Sequence, residues 1–176
     1  YYLQVAATAF DDAAGNSYAG ISDTTSLSFT SADTVNPALN SSSPADNATA
    51  VALDSNIVLN FSEAVDVESG NITIKKTSDN STIETIAVTS GQVTGTGTNQ
   101  ITINPGSDFS SATEYYLQID ATAFDDAAGN SYAGISDTTS LSFTSADTVN
   151  PALNSSSPAD NATAIALDSN IVLNFS

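Results

Sequence analysis

Short runs in which apolar and polar residues alternate at every second position recur along the chain, split by turn-forming residues. In "NIVLNFS", Ile57, Leu59 and Phe61 fall on one face. "NITIKK" sets Ile72 and Ile74 against Thr73 and Lys75, and "EYYLQID" sets Tyr115, Leu117 and Ile119 against Tyr116, Gln118 and Asp120. A period of two is that of a strand with one buried face. "STIETIAV" follows the turn signal "SDN", and "QVTGTGTNQITINPG" reads as a hairpin around Gly95–Asn99, with Ile101 and Ile103 on its second arm. "TTSLSFTS" closes the series with Leu141 and Phe143, and "PALNSSSP" opens it as an extended segment between Pro37 and Pro44. No stretch carries a helical period; "ATAFDDAAG" has room for one helical turn before Gly129 stops it. About seven short strands in about 110 residues predict an all-β sandwich of two sheets. A tyrosine opens the sixth strand. In such folds its hydroxyl ties down the preceding loop, which assigns that task to Tyr115 or Tyr116, with plain core packing as the alternative.

The pattern then repeats. Tyr1–Ser62 realigns onto Tyr115–Ser176 with three changes: Val5 to Ile119, Ala6 to Asp120 and Val51 to Ile165. The period is 114 residues (115 − 1), too long for a solenoid unit and right for a domain. The organisation expected is a complete repeat at 33–146, the C-terminal part of a preceding repeat at 1–32, and the N-terminal part of a following one at 147–176. The chain is thus expected to be a stretch of a longer tandem array. Neither partial repeat should bury its apolar face alone. Missing chain, a neighbouring molecule or the two ends joined head to tail are the expected means of completion.

Charge narrows the partners. Twenty Asp and Glu stand against two basic residues, Lys75 and Lys76, for a net charge of −18. Nucleic acid and anionic membrane surfaces need a basic patch, so neither is an expected partner. No apolar run approaches membrane-spanning length, so no direct membrane insertion is expected. The chain has no His, Cys, Met or Trp. That removes disulfides, thiolate metal sites and the usual general base. Without a nucleophile and base to pair, no enzymatic activity is expected. The acidity fits either solubility in a salty medium or divalent cation binding, which needs clustered carboxylate and carbonyl oxygens.

Five motifs then occur in order over the 114-residue unit: "DTVNP", "SPAD", "FSEAV", "YYLQI" and "DDAAGN". Together they resemble the bacterial Ig-like domains found in long arrays in giant surface adhesins. Asn36 departs from that pattern, where many members carry a small residue before the proline. The resemblance implies an Ig-like β-sandwich, a place outside the cell or on the bacterial surface, and service as a spacer. It also implies Ca²⁺ near domain junctions.

In a seven-strand Ig sandwich the second–third and sixth–seventh loops lie at the pole where the chain enters. That topology should gather Glu63 and Asp66 of "FSEAVD", Asp125, Asp126 and Asn130 of "FDDAAGN", and Asp33 of the linker. A Ca²⁺ ion, taking six to eight oxygens, would offset their repulsion. The competing explanation is a turn device, because Asp and Asn side chains hydrogen-bond their own backbone. Asp11, Asp12 and Asn16 repeat the loop without the glutamate, and Asp147 repeats the linker aspartate in a copy that stops one residue before it. A second ion at the opposite pole would draw on Asp46, Asp108 and Asp147.

The function expected is a structural extender in an extracellular adhesin or fibre, stiffened by Ca²⁺ and joined to neighbouring copies head to tail. The alternative is a surface module that binds a carbohydrate or protein, an unidentified surface ligand. Its one candidate platform is Tyr132, with its copy Tyr18, beside the twin-aspartate loop.

Overall fold

The alternating runs form two five-stranded sheets over one core, in a computed structural model that describes residues 1–176. The strands in chain order are β1 (Leu39–Ser43), β2 (Ala48–Val51), β3 (Ile57–Val67), β4 (Asn71–Lys76), β5 (Thr82–Ala87) and β6 (Val93–Thr94). They continue as β7 (Thr98–Ile103), β8 (Glu114–Ile119), β9 (Phe124–Asp125), β10 (Ser142–Ser145), β11 (Leu153–Ser157) and β12 (Val172–Phe175). One sheet runs β1-β3-β7-β6 with β9 joined to β3; the other runs β2-β10-β8-β4-β5. Only β2 and β10 pair in parallel. There is no helix, hence none long and apolar enough to cross a membrane.

Ile57, Leu59, Phe61, Ile101 and Ile103 face Ile72, Ile74, Leu117, Ile119 and Phe143, each at most 3% exposed. Burying each such side chain is worth about 1.5–3 kcal/mol, so the single core accounts for the fold's stability. The fold is the all-β sandwich of two sheets that the alternation predicts.

The register fixes two poles. Leu39 pairs with Phe61 and Ser43 with Val58, so the chain enters beside the far end of β3. It leaves at the other pole, where the Ala146 amide donates to the Val51 carbonyl at 2.7 Å. There Tyr115, 1% exposed, accepts a hydrogen bond from the Ser110 amide at 2.8 Å. Tyr116 instead donates to Asn80 at 3.1 Å, so Tyr115 is the tyrosine that ties down the loop before its strand. Tyr115→Phe should leave the Ser110 amide unpaired and cost about 1–2 kcal/mol. Urea denaturation checks this, the midpoint falling at constant slope.

The structure corrects three details of the sequence reading. "FSEAVD" is the far half of β3 rather than a loop, because Val65 and Val67 continue the strand and β9 pairs with it. The segment with room for one helical turn forms none and instead carries the short strand β9 at Phe124–Asp125. The strand β2 also went unmarked; its parallel pairing with β10 sets Asp46 beside Ser142, whose amide it accepts at 2.9 Å. Asp147 lies off the other end of β10, so Asp46 and Asp147 do not share a pole.

The flanking segments keep their local shape and lack a covering layer. In residues 1–32, Val5 bridges Ile21 and Asp11 bridges Ser17, as Ile119 bridges Ile135 and Asp125 bridges Ser131. Leu153 pairs with Phe175 as Leu39 does with Phe61, yet Phe175 is 58% exposed and Phe61 only 2%.

Candidate metal centre

Strand parity sorts the acidic residues at the pole where the chain enters. In β3, Glu63 shares the parity of Phe61 and Val65, both in the core. The pairing with β7 slips between Asn60 and Val65, and this bulge brings Glu63 to the rim, half-buried. Asp126 shares the parity of fully buried Phe124 and is itself 7% exposed. Asp66 and Asp125 have the other parity and pair with each other across β3 and β9. Alternation therefore puts them on the opposite face. Thr96 donates to Asp66 there at 3.2 Å.

On the inner face, carboxylate oxygens of Asp33, Glu63 and Asp126 lie within 4.8 Å of one another. With Ala64, Ala127 and Ala128 they line an open depression of about 360 Å³. Asp33 comes from the linker, Glu63 from β3 and Asp126 from the loop after β9. The trio thus joins linker to domain body.

Asp126 is held by its own loop. Its carboxylate accepts the Ala128 and Asn130 amides, each at 2.8 Å, and the Asn130 side chain at 2.7 Å. The turn device read from the sequence is therefore built, and the acidic cluster is built on top of it. Gly129, at φ 86°, supplies the left-handed turn that returns the chain to Asn130. Hydrogen bonds from the Asn130 side chain and backbone hold the Asp126 carboxyl below the usual carboxylate range. Glu63 is pushed the other way, first by desolvation and then by the charges of Asp33 and Asp126. One carboxylate is thus fixed in its charged form beside another that resists charging.

These residues suit a hard divalent cation. Two oxygens bound to one Ca²⁺ stand at most about 4.6–5.2 Å apart, twice the usual bond length, and oxygens within 4.8 Å of one another need only a small inward shift to share one ion. All the side-chain donors are oxygens, and the only basic side chains, Lys75 and Lys76, sit on β4 in the other sheet. Asn130 contributes as a donor, reaching Asp126 and, at 3.4 Å, the Asp33 carbonyl. That main-chain carbonyl carries no signal in the sequence.

The remaining candidates lie elsewhere. Asp12 repeats the loop hydrogen bonds with Ala14 and Asn16 at 2.9 and 2.8 Å, while Asp11 takes the outward place of Asp125. Asp147 accepts the Ser111 hydroxyl at 3.2 Å. No second trio of this kind occurs in the chain, and none includes Asp46 or Asp108. Tyr132 is 7% exposed and packs edge-on against Phe61 at 5.2 Å, so it is a core residue and offers no platform.

A family model described as a bacterial Ig-like domain matches residues 33–145. No curated protein sequence matches the chain. Among solved structures, CopC from Methylosinus trichosporium OB3b is similar at 14% identity and a TM-score of 0.45, over 65% of this chain and 97% of that one. The S-layer protein rSbsC(31-844) is similar at 15% identity and a TM-score of 0.42; the match covers 69% of this chain and 16% of that protein.

Proposed function

The chain belongs to the bacterial Ig-like domain family, and on that premise we propose that it is a non-catalytic spacer from a long extracellular or surface-attached bacterial protein. In this reading Ca²⁺ held by Asp33, Glu63 and Asp126 locks each linker to the domain that follows. The observation that carries the proposal is the meeting of a linker aspartate with two carboxylates of the domain body.

The outgoing linker supports it from the other side. Asp147 occupies in the next copy the place of Asp33, and its carboxylate accepts from Ser111. The Thr148 amide donates to the same Ser111 hydroxyl at 2.8 Å. The outgoing linker is thus tied to the domain before it by hydrogen bonds, and in this reading the ion would tie it to the domain after it. With its hinge freedom removed at both ends, the array becomes a rod whose reach scales with copy number. The alternative, a carbohydrate- or protein-binding module, finds no support in a central domain whose one candidate aromatic platform is buried.

Small-angle scattering on three tandem units tests the spacer reading. Ca²⁺ should lengthen the maximum dimension relative to chelator, and Asp33→Asn should remove the difference. A dimension that does not respond to Ca²⁺ counts against the lock.

A further inference from the structure

The strand β5 closes the second sheet on one side and pairs with β4 alone. With six residues it is the longest strand at the margin of either sheet. It lies inside the complete repeat, so its open edge owes nothing to the flanking segments. The ladder shows which backbone groups face outward. Asn71, opposite Ala87, gives its N–H to the Asp120 carboxylate at 2.8 Å and accepts the Asp120 amide at 3.0 Å. The Val88 amide reaches the Gly70 carbonyl at 3.1 Å. Bonded and unbonded pairs alternate, so Ile86 and Glu84 bond β4 while Thr85 and Ala87 turn away from it. The Ser90 amide takes the Ala87 carbonyl at 2.9 Å. The N–H and C=O of Thr85 and the N–H of Ala87 have no partner in the chain.

The side chains leave the same edge open. Thr82, Ile83, Thr85 and Ala87 are exposed, Ile83 at 43%. The pairing with β4 slips between Ile74 and Lys75, so Ile83 stands opposite no residue of β4. The one charge on the strand, Glu84, is half-buried and satisfied within the domain. It accepts the Gly106 amide at 2.9 Å and the Gln92 side chain at 2.8 Å. A slip and an inward charge discourage promiscuous edge pairing, and here they narrow the register a partner strand can take. The hairpin of β4 and β5, residues 71–88, carries both lysines against Asp79 and Glu84, for no net charge (2 − 2) in a chain of −18. A second copy, repelled by the rest of the surface, meets no net charge here.

We propose that β5 is a lateral docking edge for a second copy of this chain, the two β5 strands running antiparallel about a two-fold axis at Thr85. Thr85 exchanges N–H and C=O with Thr85 of the second copy. Ala87 falls opposite Ile83, which gains the neighbour it lacks on β4. Glu84 falls opposite Ile86. A pairing centred on Glu84 would set that charge against itself, and one centred on Ile86 would need the Ala87 carbonyl that Ser90 already holds. The contact is isologous, the same edge serving both copies. One such edge holds two molecules weakly. In a tandem array every repeat brings another, and the effective concentration of each rises once its neighbour has paired. Copy number then sets lateral grip as well as reach.

The register makes the test specific, because residue 85 faces itself. Thr85→Lys and Thr85→Asp each set two like charges directly opposite, whereas their equimolar mixture sets Lys against Asp. Sedimentation equilibrium of the whole chain up to about 1 mM, in chelator so that no divalent ion contributes, should find wild type in monomer–dimer equilibrium. Each variant alone should dissociate about fivefold more readily, and the mixture should recover the wild-type affinity. Thr85→Lys also lowers the net negative charge, so an association governed by overall repulsion would strengthen instead. A wild-type chain that stays monomeric overturns the proposal. So do dimers indifferent to both substitutions, and a mixture no tighter than its components.

Discussion

Replacing Phe124 with alanine is expected to destabilise the domain by about 3–5 kcal/mol, the range for deleting a buried aromatic ring. Phe124 is fully buried on β9 and its ring centroid lies 5.4 Å from that of Phe61, which also meets Tyr132 at 5.2 Å. Truncation removes one member of this aromatic group and leaves a cavity beneath the loop that carries Asp126. The strand β9 is two residues long and pairs only with the far end of β3. It has little backbone ladder to hold it once the ring is gone. Two effects should therefore appear together: a lower urea midpoint and a weaker response to Ca²⁺. Phe124→Leu keeps most of the volume and should cost far less. A loss below about 1 kcal/mol for the alanine variant would show that the ring anchors neither β9 nor the loop.

That coupling explains what could be read from the sequence. The sheets could be, because Ile57, Leu59, Phe61, Ile72, Ile74, Leu117 and Ile119 each obey a period of two and each is buried. The strand β9 could not, because its evidence is a pairing with Val67, more than fifty positions away, and "AFDDAAG" alone has no alternation to show. The parallel pairing of β2 with β10, which moves Asp46 away from the outgoing linker, is long-range in the same sense. The site was half legible. Topology brought Asp33, Glu63 and Asp126 to one pole, but it also gathered Asp66 and Asp125. Parity could have separated them: Asp126 stands two residues after Phe124, and Glu63 two after Phe61, so both share a core phase that their neighbours lack. The sequence could not show the bulge that lifts Glu63 from the core to the rim, nor that Asn130 would face Asp126 as a donor.

Ca²⁺ should stabilise the wild-type chain, and Glu63→Gln should abolish that effect without weakening the metal-free domain. The two halves of this expectation have different causes. With Kd about 10⁻⁴ M, in the range of extracellular Ca²⁺ modules, a free concentration of about 10 mM adds roughly 2.7 kcal/mol by mass action. Thermal melting in Ca²⁺ against chelator reads the shift. Glutamine keeps the shape of Glu63 and removes one of three carboxylates crowded within 4.8 Å, so in chelator the variant should melt no lower than wild type. Asp126 would be a poorer choice for the substitution, because its carboxylate also holds the loop through Ala128 and Asn130. Screening is separated from binding by NaCl at the same ionic strength, which should give only a small part of the shift. Mg²⁺ should also do less, since it sheds its water reluctantly and demands octahedral geometry, while an open rim with three carboxylates suits the larger, more tolerant ion. A Glu63→Gln chain that gains as much from Ca²⁺ as wild type would place the bound ion elsewhere. Equal shifts with NaCl would reduce the whole effect to relief of repulsion in a chain of net charge −18.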